Sequence, residues 1–200
     1  MRGIFDANPP RNRADRDRLV AKGLAQFLHD MPASMGWRMR GPAVHCGLSA
    51  GPIGRRHTTV NSMTDKFVGL HFDSWDRLGP LDRGRATNRL CVNIGRGSRQ
   101  FLFVPKPAAE AVRELALRRI DVLSDEQALR DSTGRLDLAR RYLEVFPDTP
   151  VLRLRVLPGE AYIAPTENLI HDGSSDESIE SDISVTVRGF FVPLATMTGK

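Results

Sequence analysis

The sequence predicts a mainly β fold, a barrel or jelly roll with helical decoration. Three observations predict it. Short apolar or alternating runs follow one another in hairpin-like succession from position 89 onward. Gly and Pro punctuate these runs. A single helical stretch interrupts the series instead of alternating with it, which argues against βαβ units. At 200 residues, 40% hydrophobic and 26% charged, the chain suits one domain with a real core.

Each element follows in order. Residues 1–14 read as a loose arm, charged and carrying Pro9-Pro10. From Asp15 to about Met31, Leu19, Val20, Leu24, Phe27 and Leu28 recur at helical spacing, with Asp15 as cap and Pro32 as stop. Residues 33–63, rich in Gly, Pro, Ser and Thr, predict short strands and loops. Lys66 to Asp73 reads as a strand. Arg89 to Ile94 and Arg99 to Val104 read as strands, and the link Gly95-Arg96-Gly97-Ser98 between them predicts a hairpin. A helical insertion spans 106–147. There Ala111, Val112, Leu115 and Ile120 form one apolar face, and a second helix runs from about Leu136 to Val145. Strand patterns return at Val151 to Leu157, Glu160 to Pro165 and Asn168 to His171. A polar acidic loop covers 172–182, and a strong strand, Ile183 to Val192, closes the series.

Composition narrows the function classes. No apolar run approaches the roughly 18 residues of a membrane span, so no membrane partner is expected. The N-terminal stretch lacks the apolar centre of a secretory signal. Cys46 and Cys91 are too few for a disulfide framework, and no CxxC pair offers a zinc site; a cytoplasmic, reduced setting is expected. The net charge of +5 comes from arginines interleaved with acids, as in 11–18, which is a poor electrostatic footprint for nucleic acid. No nucleic-acid partner is expected.

Chemistry concentrates at His71-Phe72-Asp73. Positions i and i+2 of a strand share a face, so both side chains reach one metal while Leu70 and Phe72 pack on the other side. A second imidazole from a neighbouring strand completes a set of two His and one carboxylate. Such a set leaves metal positions open for other ligands. His-x-Asp alone arises often by chance. His171 supplies the context, because it follows the Pro158-Gly159 turn and a short strand and precedes Asp172-Gly173. Nitrogen and oxygen donors without thiolate suit Fe(II).

In the final strand, Ser184, Thr186 and Arg188 share one face and Ile183, Val185 and Val187 the other. An inward Arg188 calls for an anion, and its fork matches a carboxylate, with the Thr186 hydroxyl beside it.

Together these residues resemble the Fe(II)/2-oxoglutarate-dependent dioxygenase superfamily, whose pattern is His-x-Asp, a distant His, then Arg on a late strand. The resemblance spans about residues 60–192. It implies a double-stranded β-helix, the cupin-like jelly roll, with Fe(II) on His71, Asp73 and His171. It implies 2-oxoglutarate as cosubstrate, salt-bridged by Arg188, with Thr186, Asn93 and Arg89 as further contacts. Dioxygen and a small-molecule substrate complete the reaction, for example an amino acid or natural-product intermediate, which would be hydroxylated, desaturated or cyclised. A cupin-type metal enzyme without 2-oxoglutarate and a non-catalytic β-barrel binding protein are the alternatives. His29, His45 and His57 are spare ligand candidates. Trp75 suits either a pocket mouth or a core or loop-anchoring role, Tyr162 a packed strand position, and the acidic run 172–182 either a solvated loop or a substrate lid.

Overall fold

Two antiparallel sheets face each other across the protein's middle. The computed structural model describes residues 36–50, 53–61, 64–122 and 132–193, together with Lys22, Gly23 and Gln26. The strands are β1 Trp37–Ala50, β2 Val60–Asn61, β3 Lys66–Phe67, β4 Asn88–Asn93, β5 Arg99–Pro107, β6 Leu152–Val156, β7 Ala161–Ala164, β8 Leu169–Ser174 and β9 Ile183–Pro193. One sheet has the order β1-β9-β4-β7 and the other β6-β5-β8, with a separate β2-β3 ribbon. The smaller sheet gains one more row where His71 bridges His171 on β8. From β4 onward the chain passes back and forth between two facing sheets, β5 and β6 alone staying together as neighbours on either side of the helical stretch, which is the winding of a double-stranded β-helix. The expected arm 1–14 and most of the expected helix 15–31 lie outside the described residues; Lys22, Gly23 and Gln26 are helical.

The expected hairpin over 95–98 does not form. β4 pairs with β7 and β9, whereas β5 pairs with β6 and β8. The link crosses between sheets, and its glycines serve a different need. A Cβ at Gly95 would lie 2.3 Å from the Ile183 nitrogen, and one at Gly97 would lie 2.0 Å from the Glu180 oxygen. Glycine here permits backbone to lie against backbone, not a tight turn.

Residues 37–50 also depart from expectation, forming one 14-residue strand rather than short pieces. β1 runs antiparallel to β9 with register shifts between Arg40 and Val44 and between His45 and Gly47. It is an edge strand, so Pro42 removes no ladder bond that the sheet needs.

Alternation sorts the core. Phe101 and Val156 meet Cys91, Tyr162 and Ala164 between the sheets. Leu90, Val92, Val185, Val187 and Phe191 gather on the far side of the larger sheet. Behind the smaller sheet, Phe72, Val104 and Ile170 pack on α1 (Ala108–Leu117) and α2 (Ser132–Val145). The predicted α1 face is buried at Ala111, Val112 and Leu115, and α2 begins before the predicted Leu136. Asn168, just ahead of β8, receives the Ala108 N–H on its main-chain and side-chain oxygens, which caps α1 and ties the insertion to the site strand. Among the described residues, no helix is long and apolar enough to cross a membrane.

Candidate metal centre

His71 and His171 are brought together by the backbone. Reciprocal N–H···O bonds of 2.9 and 2.8 Å join the two residues, and their rings lie 4.7 Å apart between centroids. Asp73 follows two residues after His71, held by its N–H to the Thr166 carbonyl at 3.1 Å. Between them Phe72 turns the opposite way and is fully buried against the helices, with Leu70 packed beside it. Regular strand is confined to Lys66–Phe67, yet alternation through 70–73 is as the sequence predicts.

Tautomer and orientation follow from local hydrogen bonds. His71 Nδ1 lies 2.7 Å from the Gly69 carbonyl and His171 Nδ1 lies 3.1 Å from the Leu169 carbonyl. A carbonyl only accepts, so each Nδ1 carries a proton, and Nε2 is the atom each ring turns toward Asp73. Those Nε2 atoms lie 3.7 and 3.6 Å from the two Asp73 carboxylate oxygens. One potential ligand atom from each residue falls within 4.8 Å of the others. All three side chains are buried, and His171 Nε2 and Asp73 Oδ2 have no hydrogen-bond partner. Buried polar atoms left unpaired are costly, and a shared cation would satisfy them.

Electrostatics favours the ligand forms. Burial opposes ionisation of Asp73, but Arg89 at 3.7 Å and the two imidazoles outweigh it and hold the carboxyl well below its usual range. Burial, with His71 and Arg89 nearby, pushes His171 down to about 3 against the pull of Asp73. The centre therefore presents a carboxylate and a neutral imidazole from His171 near neutral pH.

Beside it lies a cavity of about 200 Å³, lined by His171, Arg89, Arg99, Phe101, Tyr162 and Thr186 among others. Its hydroxyls come from Ser49, Thr58, Thr59, Ser184 and Thr186. Two arginines, the buried carboxylates of Asp172 and Asp182 and several hydroxyls make this a small polar space in which a guanidinium fork can receive an anion.

The remaining predicted residues divide. Thr186 and Arg89 line the cavity. Asn93 does not, because its amide is consumed by Gly97 O at 2.8 Å, Val156 O at 3.2 Å and the Gly95 N–H at 3.1 Å, locking the inter-sheet link. Arg188 stays outside the cavity lining: its Nη1 lies 3.1 Å from Asp76 and 4.0 Å from Glu167, with the guanidinium 5.0 Å over the Trp75 ring. Trp75 is half-exposed. Tyr162 stacks on Phe101 at 4.5 Å, as expected of a packed strand aromatic, and also lines the cavity.

Of the spare histidines, His57 bonds Asp172 at 2.7 Å, while His29 and the His45 side chain fall outside the description. The acidic run is not a simple solvated loop. Its ends, Asp172 and Asp182, are buried, β8 continues to Ser174, and Asp176 and Glu177 pair with Arg153. Sequence reasoning passed over Arg99 and took Asp182 only as part of the acidic run; the two lie 3.5 Å apart and both line the cavity. The signal was present: Arg99 alternates with Phe101 and Phe103 on the inward face of β5.

No family profile and no curated protein matches the chain. Among solved structures, similarity is found to the Kdo hydroxylase KdoO, a non-heme Fe(II) alphaketoglutarate-dependent dioxygenase. Its complex with alphaketoglutarate and Fe(III) aligns at 16% identity and TM-score 0.48, covering 90% of this chain and 66% of that one. Its complex with succinate and Fe(III) aligns at 17% identity and TM-score 0.47, covering 90% and 65%. The chain thus spans slightly under two-thirds of those structures' length.

Proposed function

We propose that the protein is a non-haem Fe(II) oxygenase that uses 2-oxoglutarate to hydroxylate, or by the same chemistry desaturate or cyclise, a small molecule. One observation carries the reading: buried His171 Nε2 and Asp73 Oδ2, neither with a hydrogen-bond partner, converge with His71 Nε2 beside a cavity holding two arginines. Two imidazoles and one carboxylate on one side of an ion are the donor set suited to Fe(II) with positions left free. When bound, iron would supply the activation of dioxygen that no side chain here provides, with the keto acid as source of two electrons.

The chain's own contribution is positional. Gly69 and Leu169 carbonyls fix both imidazole tautomers, Arg89 keeps Asp73 ionised, and Phe72 anchors the turn between the ligands from behind. The aromatic pair Phe101 and Tyr162 walls the cavity and keeps bulk water from that side.

Anaerobic reconstitution with Fe(II), followed by metal analysis and a succinate-release screen over amino acids and related metabolites, tests the proposal. Expected are one iron per chain and succinate formed in step with 2-oxoglutarate loss. Activity retained by His71→Ala or Asp73→Ala with iron still bound would refute the ligand assignment. Iron binding and substrate turnover without succinate would point instead to a metal enzyme on the same ligands that needs no keto acid.

A further inference from the structure

We infer that Arg99 on β5, not Arg188 on the final strand, is the arginine that receives the anionic end of the cavity's ligand, with Asp182 as its resident counter-ion. The inference rests on the proposal that a keto diacid occupies this cavity.

Arg188 is already committed. Its guanidinium bonds Asp76 at 3.1 Å, and the same Asp76 carboxylate accepts the Thr87 N–H at 2.7 Å and the Thr87 hydroxyl at 2.9 Å. Asp76 N–H in turn donates to Glu167 at 2.8 Å. Arg188 therefore clasps the stretch after Asp73 to the barrel. A ligand carboxylate there would have to compete with two protein carboxylates.

Arg99 is placed differently. Its side chain is 12% exposed and, unlike Arg188, it lines the cavity; the Nε of each arginine lacks a hydrogen-bond partner, so that atom does not separate the two. A Cβ on Gly173 would stand 2.2 Å from Thr58 Oγ1 and 2.9 Å from Arg99 Nη2, so the bare glycine lets the Thr58 hydroxyl and the guanidinium both lie over β8. Gly173 is two residues beyond His171 on β8 and pairs with Phe101, while His171 pairs with Phe103. Two residues of strand span about 6.6 Å, close to the length of an extended five-carbon diacid. One end of such a molecule at the His171 centre places the other at Arg99. Ser184, already bonded to Arg99, sits beside that end, with Thr186, Thr58 and Ser49 also on the cavity wall.

Charge balance makes a second, linked statement. Arg89 faces Asp73 at 3.7 Å, Arg99 faces Asp182 at 3.5 Å, and the buried Asp172, bonded to His57, also lines the cavity, so its two arginines are already matched by protein carboxylates. A dianion adds two uncompensated charges unless a divalent cation enters with it. Asp182 Oδ1 has no hydrogen-bond partner, and its carboxylate competes with the ligand for the Arg99 fork. Removing that competitor should tighten binding.

The experiment uses the full chain with Mn(II), a redox-silent stand-in for iron, and follows 2-oxoglutarate binding by calorimetry. Mn(II) uptake is measured separately for every variant. Arg99→Gln is expected to weaken 2-oxoglutarate by about 100-fold, in the range for cutting one partner from a buried charge pair, while Mn(II) uptake stays intact. Arg188→Gln is expected to stay within about threefold of wild type for 2-oxoglutarate and to melt earlier. Asp182→Asn is expected to bind 2-oxoglutarate more tightly. Should Arg99→Gln fail to fold because Asp182 is left unpaired, the double variant Arg99→Gln/Asp182→Asn restores neutrality and carries the same expectation of lost binding. Loss with Arg188→Gln and retention with the Arg99 variants overturns the inference alone. Wild type that takes up Mn(II) but no 2-oxoglutarate overturns the keto-acid reading and the inference with it. Wild type that takes up no Mn(II) overturns the metal centre itself.

Discussion

Replacing Gly97 by Ala probes the inter-sheet link on which the cavity depends. The added methyl would stand 2.0 Å from the Glu180 oxygen, 2.8 Å from its carbonyl carbon and 2.5 Å from Ser178 Oγ. Real Cβ atoms essentially never come within 3.0 Å of such neighbours, so one backbone must retreat by about 1 Å. The retreat pulls on the Gly97 N–H to Ser181 bond of 3.2 Å and on the Asn93 amide to Gly97 bond of 2.8 Å. Overpacking costs about 1–3 kcal/mol and each lost hydrogen bond about 1 kcal/mol, giving about 3–5 kcal/mol in all. For a chain of this length each kcal/mol moves Tm by about 2–4 °C, so a fall of about 6–20 °C is expected in thermal melts followed by circular dichroism. Gly84→Ala is the control, since its nearest neighbour is Asn168 Nδ2 at 3.9 Å, an ordinary contact. A Gly97→Ala melt within two degrees of the Gly84→Ala melt would refute the close-approach argument.

Three further outcomes are expected. Phe72→Ala removes a fully buried ring from between the two proposed ligands His71 and Asp73; urea unfolding should show a loss of about 3–5 kcal/mol, and Mn(II) titration a weaker site. Wild type at Mn(II) a hundredfold above Kd should gain about 2.7 kcal/mol, or roughly 5–11 °C in Tm, and His171→Ala should gain none. Glu114, held below the usual carboxyl range first by the Lys106 ammonium and then by the Tyr142 hydroxyl, contributes stability that is present above its unfolded pKa and lost as pH falls through the lowered folded value. Glu114→Gln should therefore melt below wild type at pH 7, and the two curves should converge as pH drops below about 4, the unfolded carboxyl range.

How much of this was legible follows from which constraints are local. His71, Phe72 and Asp73 were legible because alternation is set by the backbone, and Phe72 does turn away into the helical core. The facing of Arg188 was legible for the same reason. Its partner was not, since Asp76 and Glu167 arrive from two separate loops whose paths no periodicity encodes. Gly95 and Gly97 misled because glycine serves a tight turn and a close backbone approach equally, and only the position of 180–183 distinguishes them. The acidic stretch misled similarly. Asp172 and Asp182 look like solvated charge in sequence, but His57 and Arg99, both far upstream, reach them in the fold.

The tautomers, by contrast, need almost nothing distant. In both histidines Nδ1 donates to the carbonyl two residues upstream, Gly69 for His71 and Leu169 for His171. In each case the acceptor is only two residues away, on β8 for His171 and across the left-handed Gly69 turn for His71, so ring orientation is a local property of each segment. Pairing sets the two rings side by side, and the reciprocal His71–His171 main-chain bonds perform it. Asp73 completes the set from the same short segment as His71, on the same face. A centre assembled from two locally ordered pieces joined by one backbone bridge loses little entropy when a cation arrives, because tautomer, ring direction and spacing are fixed beforehand. The Nε2 and Oδ2 atoms left without a hydrogen-bond partner are the cost of that preorganisation, and occupancy by a divalent ion is the change that removes it.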